Sequence, residues 1–213
     1  MSVGSSTGST FGRASENMTN ISAVQRPMPF TATSSSMMAS SPIAFQRRGF
    51  SVLRFNFRGV GRSEGLFDNG PGELADAATA LDWLQAYNAD ASTCWIAGVS
   101  FGSWIAMQLL MRRPELEGFI SVAPPANLYD FTFLAPCPSS GLMVNGAKDR
   151  VVPTESVRGL VDRLKTQKGI VIEHATVPDA NHFLEGRMDG LMEVVDTYLD
   201  KRLGKRKKRE TAA

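Results

Sequence analysis

The sequence of 213 residues predicts an α/β protein with a mostly parallel central sheet and helices on both of its faces. From Phe50 onward, short apolar runs typical of strands alternate with segments of helical periodicity, which is the pattern of a covered parallel sheet. The length allows one such domain with a substantial core, but not two. We therefore expect a single domain over residues 21–203. A disordered or targeting-like segment at 1–20 precedes it, and a basic tail at 204–213 follows it.

The elements follow one another in a regular order. The first strand after the N-terminal segment is the apolar run 50–57, and the first helix is 73–87, where Leu74, Ala77 and Leu81 recur at helical spacing. The same criteria predict further strands at 93–97, 118–122, 141–145 and 170–176, and further helices at 103–113, 154–165 and 188–203.

Charge is distributed unevenly along the chain. The formal net charge is +2, but seven of the 23 Lys and Arg residues lie in the last thirteen positions. Without those positions, 16 basic residues face 20 acidic ones, a net charge of −4. Such a body does not resemble a nucleic-acid-binding surface, so we do not expect nucleic acid as a partner. The tail itself is interpreted as a solvated, disordered terminus, with a localisation signal or a phosphate-binding patch as the alternatives.

The N-terminal region and the cysteines bear on the compartment. Residues 1–41 contain 16 Ser or Thr and a single acidic residue, a composition typical of disorder and also found in organelle transit peptides. No apolar stretch approaches the roughly 18 residues of a membrane helix, so no membrane partner is expected. Two cysteines, one in a predicted core strand, favour a reducing compartment without disulfides. We expect a cytoplasmic protein, with an organelle as the alternative.

The pentapeptide Gly98-Val99-Ser100-Phe101-Gly102 lies between a predicted strand and a predicted helix. A serine at such a junction, with glycine two residues to either side, is what a nucleophile elbow requires, because the tight turn leaves no room for side chains there. A short match of this kind also arises by chance, as an ordinary glycine-rich turn. Its interpretation therefore depends on whether a base and an acid accompany it.

A serine hydroxyl becomes a nucleophile when a histidine accepts its proton and a carboxylate orients that histidine. Of the two histidines, His182 follows the carboxyl end of the last predicted strand, where catalytic groups gather in open α/β sheets, whereas His174 lies inside that strand and is interpreted as structural. For the acid, Asp149 follows the strand at 141–145, and Asp179 is the rival. The order Ser100, Asp149, His182 is the Ser…Asp…His order of the α/β hydrolases.

These motifs, together with the string from Arg48 to Gly65, Tyr129-Asp130-Phe131 and Ala180-Asn181-His182-Phe183, resemble the small lidless α/β hydrolases related to dienelactone hydrolases and serine esterases. The resemblance runs from about residue 45 to 203. It implies the α/β-hydrolase fold with reduced or altered N-terminal strands. It also implies an oxyanion hole to which Phe101, the residue after the nucleophile, donates its N–H.

The N-terminal segment departs from the pattern of that family. There, a central strand between those at 50–57 and 93–97 leads into a His-Pro-His-Pro segment and a glycine pair that help to form the oxyanion hole. Here the counterpart is residues 21–29, ending in Arg26-Pro27-Met28-Pro29. The resemblance implies that 21–29 supply the strand and that Met28 supplies the second donor, because proline has no N–H. One lost donor costs roughly 10²–10³ in rate.

The sequence therefore predicts a serine esterase for small or soluble carboxylic esters, acting through Ser100, His182 and Asp149 without a metal or other cofactor. Only about eighteen residues separate the strands at 118–122 and 141–145, which leaves no room for a helical lid. Tyr129 and Phe131 are candidates for lining the substrate pocket, and core packing is the alternative for both. The rival hypothesis is a catalytically impaired binding or scaffold protein that keeps the fold. The oligomeric state is left open.

Overall fold

The structure, a computed structural model, describes residues 19–25 and 40–210, with side chains from 43 to 204. The strands are β1 (Thr19–Gln25), β2 (Phe50–Asn56), β3 (Cys94–Val99), β4 (Leu116–Val122), β5 (Gly141–Gly146) and β6 (Ile172–Val177). The helices are α1 (Ser40–Gln46), α2 (Pro71–Ala86), α3 (Phe101–Leu110), α4 (Thr154–Lys165) and α5 (Met188–Glu210), with a short 3-10 helix at Thr132–Leu134.

The six strands form one sheet in the order β2-β1-β3-β4-β5-β6. Strands β3 to β6 are all parallel, and β1 pairs antiparallel with both of its neighbours. Because β2 and β3 both oppose β1, they run in the same direction. The carboxyl ends of five strands therefore meet at one edge. The mostly parallel α/β fold expected from the sequence is confirmed.

The N-terminal strand lies between β2 and β3, where the family resemblance placed residues 21–29. It covers Thr19–Gln25 and begins two residues before the expected domain boundary at 21. Its direction brings Asn20 opposite Gly98 and Val24 opposite Cys94. Strand β1 thus ends at the edge of the sheet away from the nucleophile elbow. Met28, the expected second oxyanion donor, lies outside the described residues.

Both faces of the sheet are buried, and successive side chains of a strand enter different layers. In β3, Ile96 packs into the layer covered by α2, α3 and α4, whereas Trp95 and Ala97 pack into the layer covered by α1 and α5. The same alternation is seen for Phe119 and Ile120 in β4. This two-layer core holds the strand ends, and hence the loops that follow them, in fixed positions.

Apart from the C-terminal end of α5, the elements after Phe50 match the predictions within a few residues, and α4 matches at both ends. Helix α1 was not predicted, since seven residues show too little periodicity. Helix α5 continues to Glu210, past the expected end at 203, so the backbone of the basic run at 205–209 is helical.

Cys94 and Cys137 are both buried and unpaired, as expected from the sequence. Within the described part of the chain, no helix is long and apolar enough to span a membrane.

Candidate active site

Ser100 lies at the junction of β3 and α3, with backbone angles φ 51° and ψ −125°. An L-residue rarely adopts this region, and the strain is retained because the turn is fixed on both sides. The Ser100 N–H donates to the carbonyl of Val122 at 2.8 Å, while its carbonyl accepts both the N–H (2.8 Å) and the hydroxyl (2.7 Å) of Ser103. The hydroxyl of Ser100 is therefore presented at the carboxyl edge of the sheet.

The close approach inside the elbow explains one of its two glycines. A Cβ added to Gly98 would lie 2.3 Å from the carbonyl oxygen of Gly102 and 2.7 Å from the Cα of Ser103. Both are backbone atoms of α3, which cannot rotate away as a side chain would. Only glycine at position 98 lets the helix begin directly after the strand.

Ser100, His182 and Asp149 lie in one hydrogen-bonded line. The hydroxyl of Ser100 is 3.0 Å from Nε2 of His182, and Nδ1 of His182 is 2.8 Å from Oδ2 of Asp149. The other carboxylate oxygen of Asp149 accepts the N–H groups of Val151 and Val152, each at 2.8 Å. Asp149 is thus an acceptor on both oxygens. Because the Nδ1–H of His182 donates to Asp149, Nε2 carries no proton and can accept the hydrogen bond of the serine hydroxyl.

The loops that carry the acid and the base pack directly against each other. The N–H of Lys148 donates to the carbonyl of Ala180 at 2.8 Å. A Cβ added to Gly146 would lie 2.4 Å from that same carbonyl oxygen, so the approach requires glycine. Asp149 and His182 are buried, which excludes water from the hydrogen bond between them and strengthens it.

The two rival residues make other contacts. Nε2 of His174 donates to Oδ1 of Asn145 at 2.7 Å, because Nδ2 of Asn145 already donates to Gly146 and Thr154. Burial lowers the pKa of His174, so it stays neutral and structural, as expected. Asp179 is half exposed and pairs with Lys148 at 2.7 Å; this hydrogen bond lowers the pKa of Asp179.

Phe101 is the first residue of α3, so its backbone N–H has no acceptor within the helix and lies beside Ser100. Its ring is buried and touches four other aromatic rings. Their centroids lie 6.0 Å (Phe57), 5.3 Å (Phe67), 5.6 Å (Trp104) and 5.5 Å (Tyr129) from that of Phe101. This aromatic cluster fixes the start of the helix and hence the direction of the N–H.

The two expected pocket residues have different surroundings. Tyr129 is half buried, and its ring packs on Trp104 at 4.6 Å as well as on Phe101. Burial, assisted by the negative charge of Glu73, raises the pKa of Tyr129, which keeps its hydroxyl protonated. Phe131 is only 3% exposed and belongs to the core beneath α3, where it packs on Phe133 at 6.0 Å. Its expected role in the pocket stays a prediction.

Sequence reasoning missed two residues near the site, Phe67 and Glu73. Phe67 contacts the ring of Phe101 from the loop between β2 and α2, and Glu73 is fully buried at the third position of α2. The carboxylate of Glu73 accepts the N–H groups of Asp68 and Gly70, each at 2.8 Å. The run Gly70-Pro71-Gly72-Glu73 carried a signal for this, since proline at the start of a helix followed by Glu is a capping pattern.

Fold and geometry together define an α/β hydrolase of the serine-hydrolase type. A sequence model of the X-Pro dipeptidyl-peptidase (S15) family matches residues 13–140, more than half of the chain, and the chain belongs to that family. The matched region contains Ser100 and ends before Asp149 and His182.

Two similar proteins bear names that state no function. A Rickettsia prowazekii protein (strain Madrid E) is 48% identical over 155 residues, covering 71% of this chain and 65% of the relative. A Mycobacterium tuberculosis protein (strain H37Rv) is 26% identical over 190 residues, covering 77% of this chain and 65% of the relative. The chain thus spans 65% of the length of these curated relatives.

Solved structures show the same fold. A protein of unknown function from Agrobacterium tumefaciens, assigned to the α/β hydrolases, is 58% identical with a TM-score of 0.76, covering 79% of this chain and 78% of that one. An α/β serine hydrolase homologue from Coxiella burnetii is 32% identical (TM-score 0.66), with coverage of 76% of both chains. A Xanthomonas campestris protein described as an α/β serine hydrolase without a lid is 26% identical (TM-score 0.67), with coverage of 85% and 88%.

Proposed function

We propose that this chain is a serine esterase that cleaves small or soluble carboxylic esters through Ser100, His182 and Asp149. The observation that carries the proposal is the continuous line of hydrogen bonds from the serine hydroxyl to the buried carboxylate, at 3.0 and 2.8 Å. The base, His182, is within hydrogen-bond reach of the nucleophile on one ring nitrogen and of the orienting acid on the other, as general-base catalysis requires.

The reaction proceeds in two acyl transfers. Oγ of Ser100 attacks the ester carbonyl while its proton moves to Nε2 of His182, and Asp149 stabilises the resulting imidazolium. Collapse of the tetrahedral intermediate breaks the bond to the alcohol oxygen, which takes the proton back from His182. A water molecule then gives a proton to His182 and attacks the acyl-enzyme. Collapse of the second tetrahedral intermediate breaks the bond to Oγ of Ser100, which takes the proton back from His182 as the carboxylic acid leaves.

The oxyanion of each intermediate is stabilised by the N–H of Phe101 at the start of α3, where the helix dipole also favours negative charge. The resemblance to the lidless hydrolases implied Met28 as the second donor, but the strand before it, β1, ends at the opposite edge of the sheet, so the proposal rests on the N–H of Phe101. If Phe101 is the only donor, kcat is expected to be roughly 10²–10³-fold lower than with a complete pair of donors.

Small or soluble esters are favoured by the short connection between β4 and β5, where lipases carry a lid. The connection between β4 and β5 spans 123–140 and contains only the 3-10 turn at Thr132–Leu134. A segment of this kind does not form a helical lid, and the similar Xanthomonas campestris protein carries the description "without lid". Long acyl chains at a lipid interface are therefore not the expected substrates.

The cytoplasm is the proposed compartment, and a small-molecule ester the proposed partner. Both cysteines are buried and unpaired, which accords with a reducing environment. No nucleic-acid partner is expected from the mildly acidic body of the chain.

A fluorophosphonate probe tests the proposal, because it phosphonylates an activated serine. We expect the native protein to be labelled, Ser100→Ala to be unlabelled, and Ser156→Ala, a control on α4, to be labelled at the native rate. Labelling that persists in Ser100→Ala would refute the assignment of the nucleophile. A folded native protein that is never labelled would instead support the impaired binding or scaffold protein.

A further inference from the structure

Half of the large exposed apolar side chains in the described part of the chain lie at the edge of the sheet that carries the candidate active site. Four of the eight large exposed hydrophobic residues in the described part of the chain lie on loops that leave carboxyl ends of strands. They are Leu66 (84% exposed) and Phe67 (47%) after β2, Leu128 (49%) after β4 and Val151 (44%) after β5. Exposed apolar groups clustered at one place mark a binding surface more often than chance exposure does.

Phe67 is held in place even though about half of it is exposed. Its ring contacts the buried ring of Phe101 at a centroid distance of 5.3 Å. The loop around it is tied down by Glu73, whose carboxylate accepts one N–H on either side of Asn69, from Asp68 and Gly70. A carboxylate is costly to bury unless it is hydrogen-bonded, so here its hydrogen bonds serve to fix a surface loop.

Helix α3 holds the same loop from the other side. A Cβ added to Gly70 would lie 2.8 Å from the indole ring of Trp104, and Gly70 has a φ of 125°. The loop therefore rests directly on the helix that follows the nucleophile. Phe67 is a preorganised surface group rather than a freely rotating one, and preorganisation reduces the entropy lost when a ligand binds.

Phe67 and Tyr129 flank the residue that follows Ser100. Both rings pack against the ring of Phe101 in edge-type geometry, at 63° and 60° to its plane. His182 must return a proton to the departing alcohol oxygen, so the alcohol part of the substrate lies on the side of His182. The acyl part of the substrate then lies on the other side of Ser100, next to Phe101 and the rings of Phe67 and Tyr129 that pack on it.

We propose that Phe67 and Tyr129 form the acyl-binding subsite and that the preferred substrates are esters of planar aromatic carboxylic acids. The proposal rests on the esterase function proposed above and names its substrate class. Ring edges and faces at this position favour a planar ring through aromatic contacts as well as through apolar burial. Glu73 acts as a positioning residue, because it touches the loop and not the substrate.

The experiment compares two esters with the same leaving group, p-nitrophenyl benzoate and p-nitrophenyl acetate. For the native protein, kcat/KM is expected to be higher for the benzoate, although the acetate is intrinsically the more reactive of the two esters. In Phe67→Ala, the benzoate-to-acetate ratio of kcat/KM should fall about tenfold, which corresponds to the loss of one good apolar contact. Phe67→Leu, which stays apolar but loses the planar face, should show an intermediate ratio.

Trp83→Ala is the matched control, because Trp83 is an aromatic residue of similar exposure (49%) on α2, outside the site. Its ratio should equal that of the native protein. Glu73→Gln should lower the benzoate-to-acetate ratio of kcat/KM while the protein stays folded and Ser100 is still labelled by the probe, as a positioning role requires.

The outcomes separate the two proposals. If neither ester is hydrolysed in a Ser100-dependent manner, the proposed function fails, and this inference fails with it. If both esters are hydrolysed but the ratio is the same in the native protein, Phe67→Ala and Phe67→Leu, the esterase function stands and the aromatic subsite is refuted.

Discussion

Replacement of Gly98 by alanine adds a single methyl group at the tightest point of the nucleophile elbow. The new Cβ would lie 2.3 Å from the carbonyl oxygen and 2.6 Å from the carbonyl carbon of Gly102. The first distance is 1.1 Å short of the 3.4 Å at which ordinary van der Waals contact begins. Because both partners are backbone atoms, relief requires the start of α3 to move away from β3.

The expected cost is about 1–3 kcal/mol of unfolding free energy, the usual range for overpacking a rigid site. The displacement also moves Ser100 relative to His182, now 3.0 Å apart, so nucleophile activation should fall together with stability. Misplacement by about 1 Å costs on the order of 10² in rate.

Gly159→Ala provides the matched control. Gly159 is exposed in the interior of α4, and apart from its chain neighbours and the backbone of its own helix, nothing lies within 4 Å of an added Cβ. This substitution should raise the unfolding free energy by about 0.5–1 kcal/mol, since alanine favours the helix and restricts the unfolded chain. Its labelling by the fluorophosphonate probe should match that of the native protein.

Urea denaturation and the rate of probe labelling measure the two effects. Gly98→Ala is expected to unfold at lower urea and to be labelled on the order of 10² more slowly, while Gly159→Ala changes only in stability and in the opposite direction. A Gly98→Ala protein with native stability and native labelling would refute the steric argument for the elbow.

Two further predictions concern acidic side chains. Asp149→Asn should lower ester turnover about 10³–10⁴-fold without unfolding the protein. The NH2 group of the asparagine would face Nδ1 of His182 and force the imidazole proton onto Nε2. Asp179→Asn, assayed in parallel as the control, should keep native turnover. Equal loss in both variants would contradict this. The pKa of Asp76 is lowered, mainly by its side-chain hydrogen bonds with Arg58. Its carboxylate therefore stabilises the fold at pH values above its unfolded pKa of about 3.9. This stabilisation is lost as the pH falls through the lower pKa of the folded state. Native protein and Asp76→Asn should therefore differ in unfolding free energy near neutral pH, and the difference should begin to shrink below about pH 4. A difference that grows on acidification would exclude this role.

Local patterns were sufficient to predict most of the fold. Strands β3, β4 and β5 are short apolar runs bounded by turn residues, and α4 has strong helical periodicity, so their sequences indicate their structure without knowledge of their neighbours. Helix α1 lacked such a signal because it is only seven residues long. Its place comes from packing, since Ala44 and Phe45 are buried against the sheet.

In the candidate site, too, some residues could be found from local sequence patterns and others only from the fold. Ser100 was found from its glycine spacing, and His182 and Asp149 from their positions just after strands. Phe67 and Glu73 were not found, because their importance depends on a loop folding back over α3. Phe131, a candidate for the pocket, has its ring in the core because the loop after β4 turns inward there.

Local patterns and chain order were thus enough to predict the α/β class, the order of the elements after Phe50 and the three residues proposed for catalysis. The folded arrangement was needed to show that β1 runs antiparallel between β2 and β3, that His182 is hydrogen-bonded to Asp149 and not to Asp179, and that an aromatic cluster surrounds Phe101. These features depend on contacts between segments far apart in the chain. Strand direction, ring packing and hydrogen-bond partners are set by how the layers fit together, and no single segment carries that information.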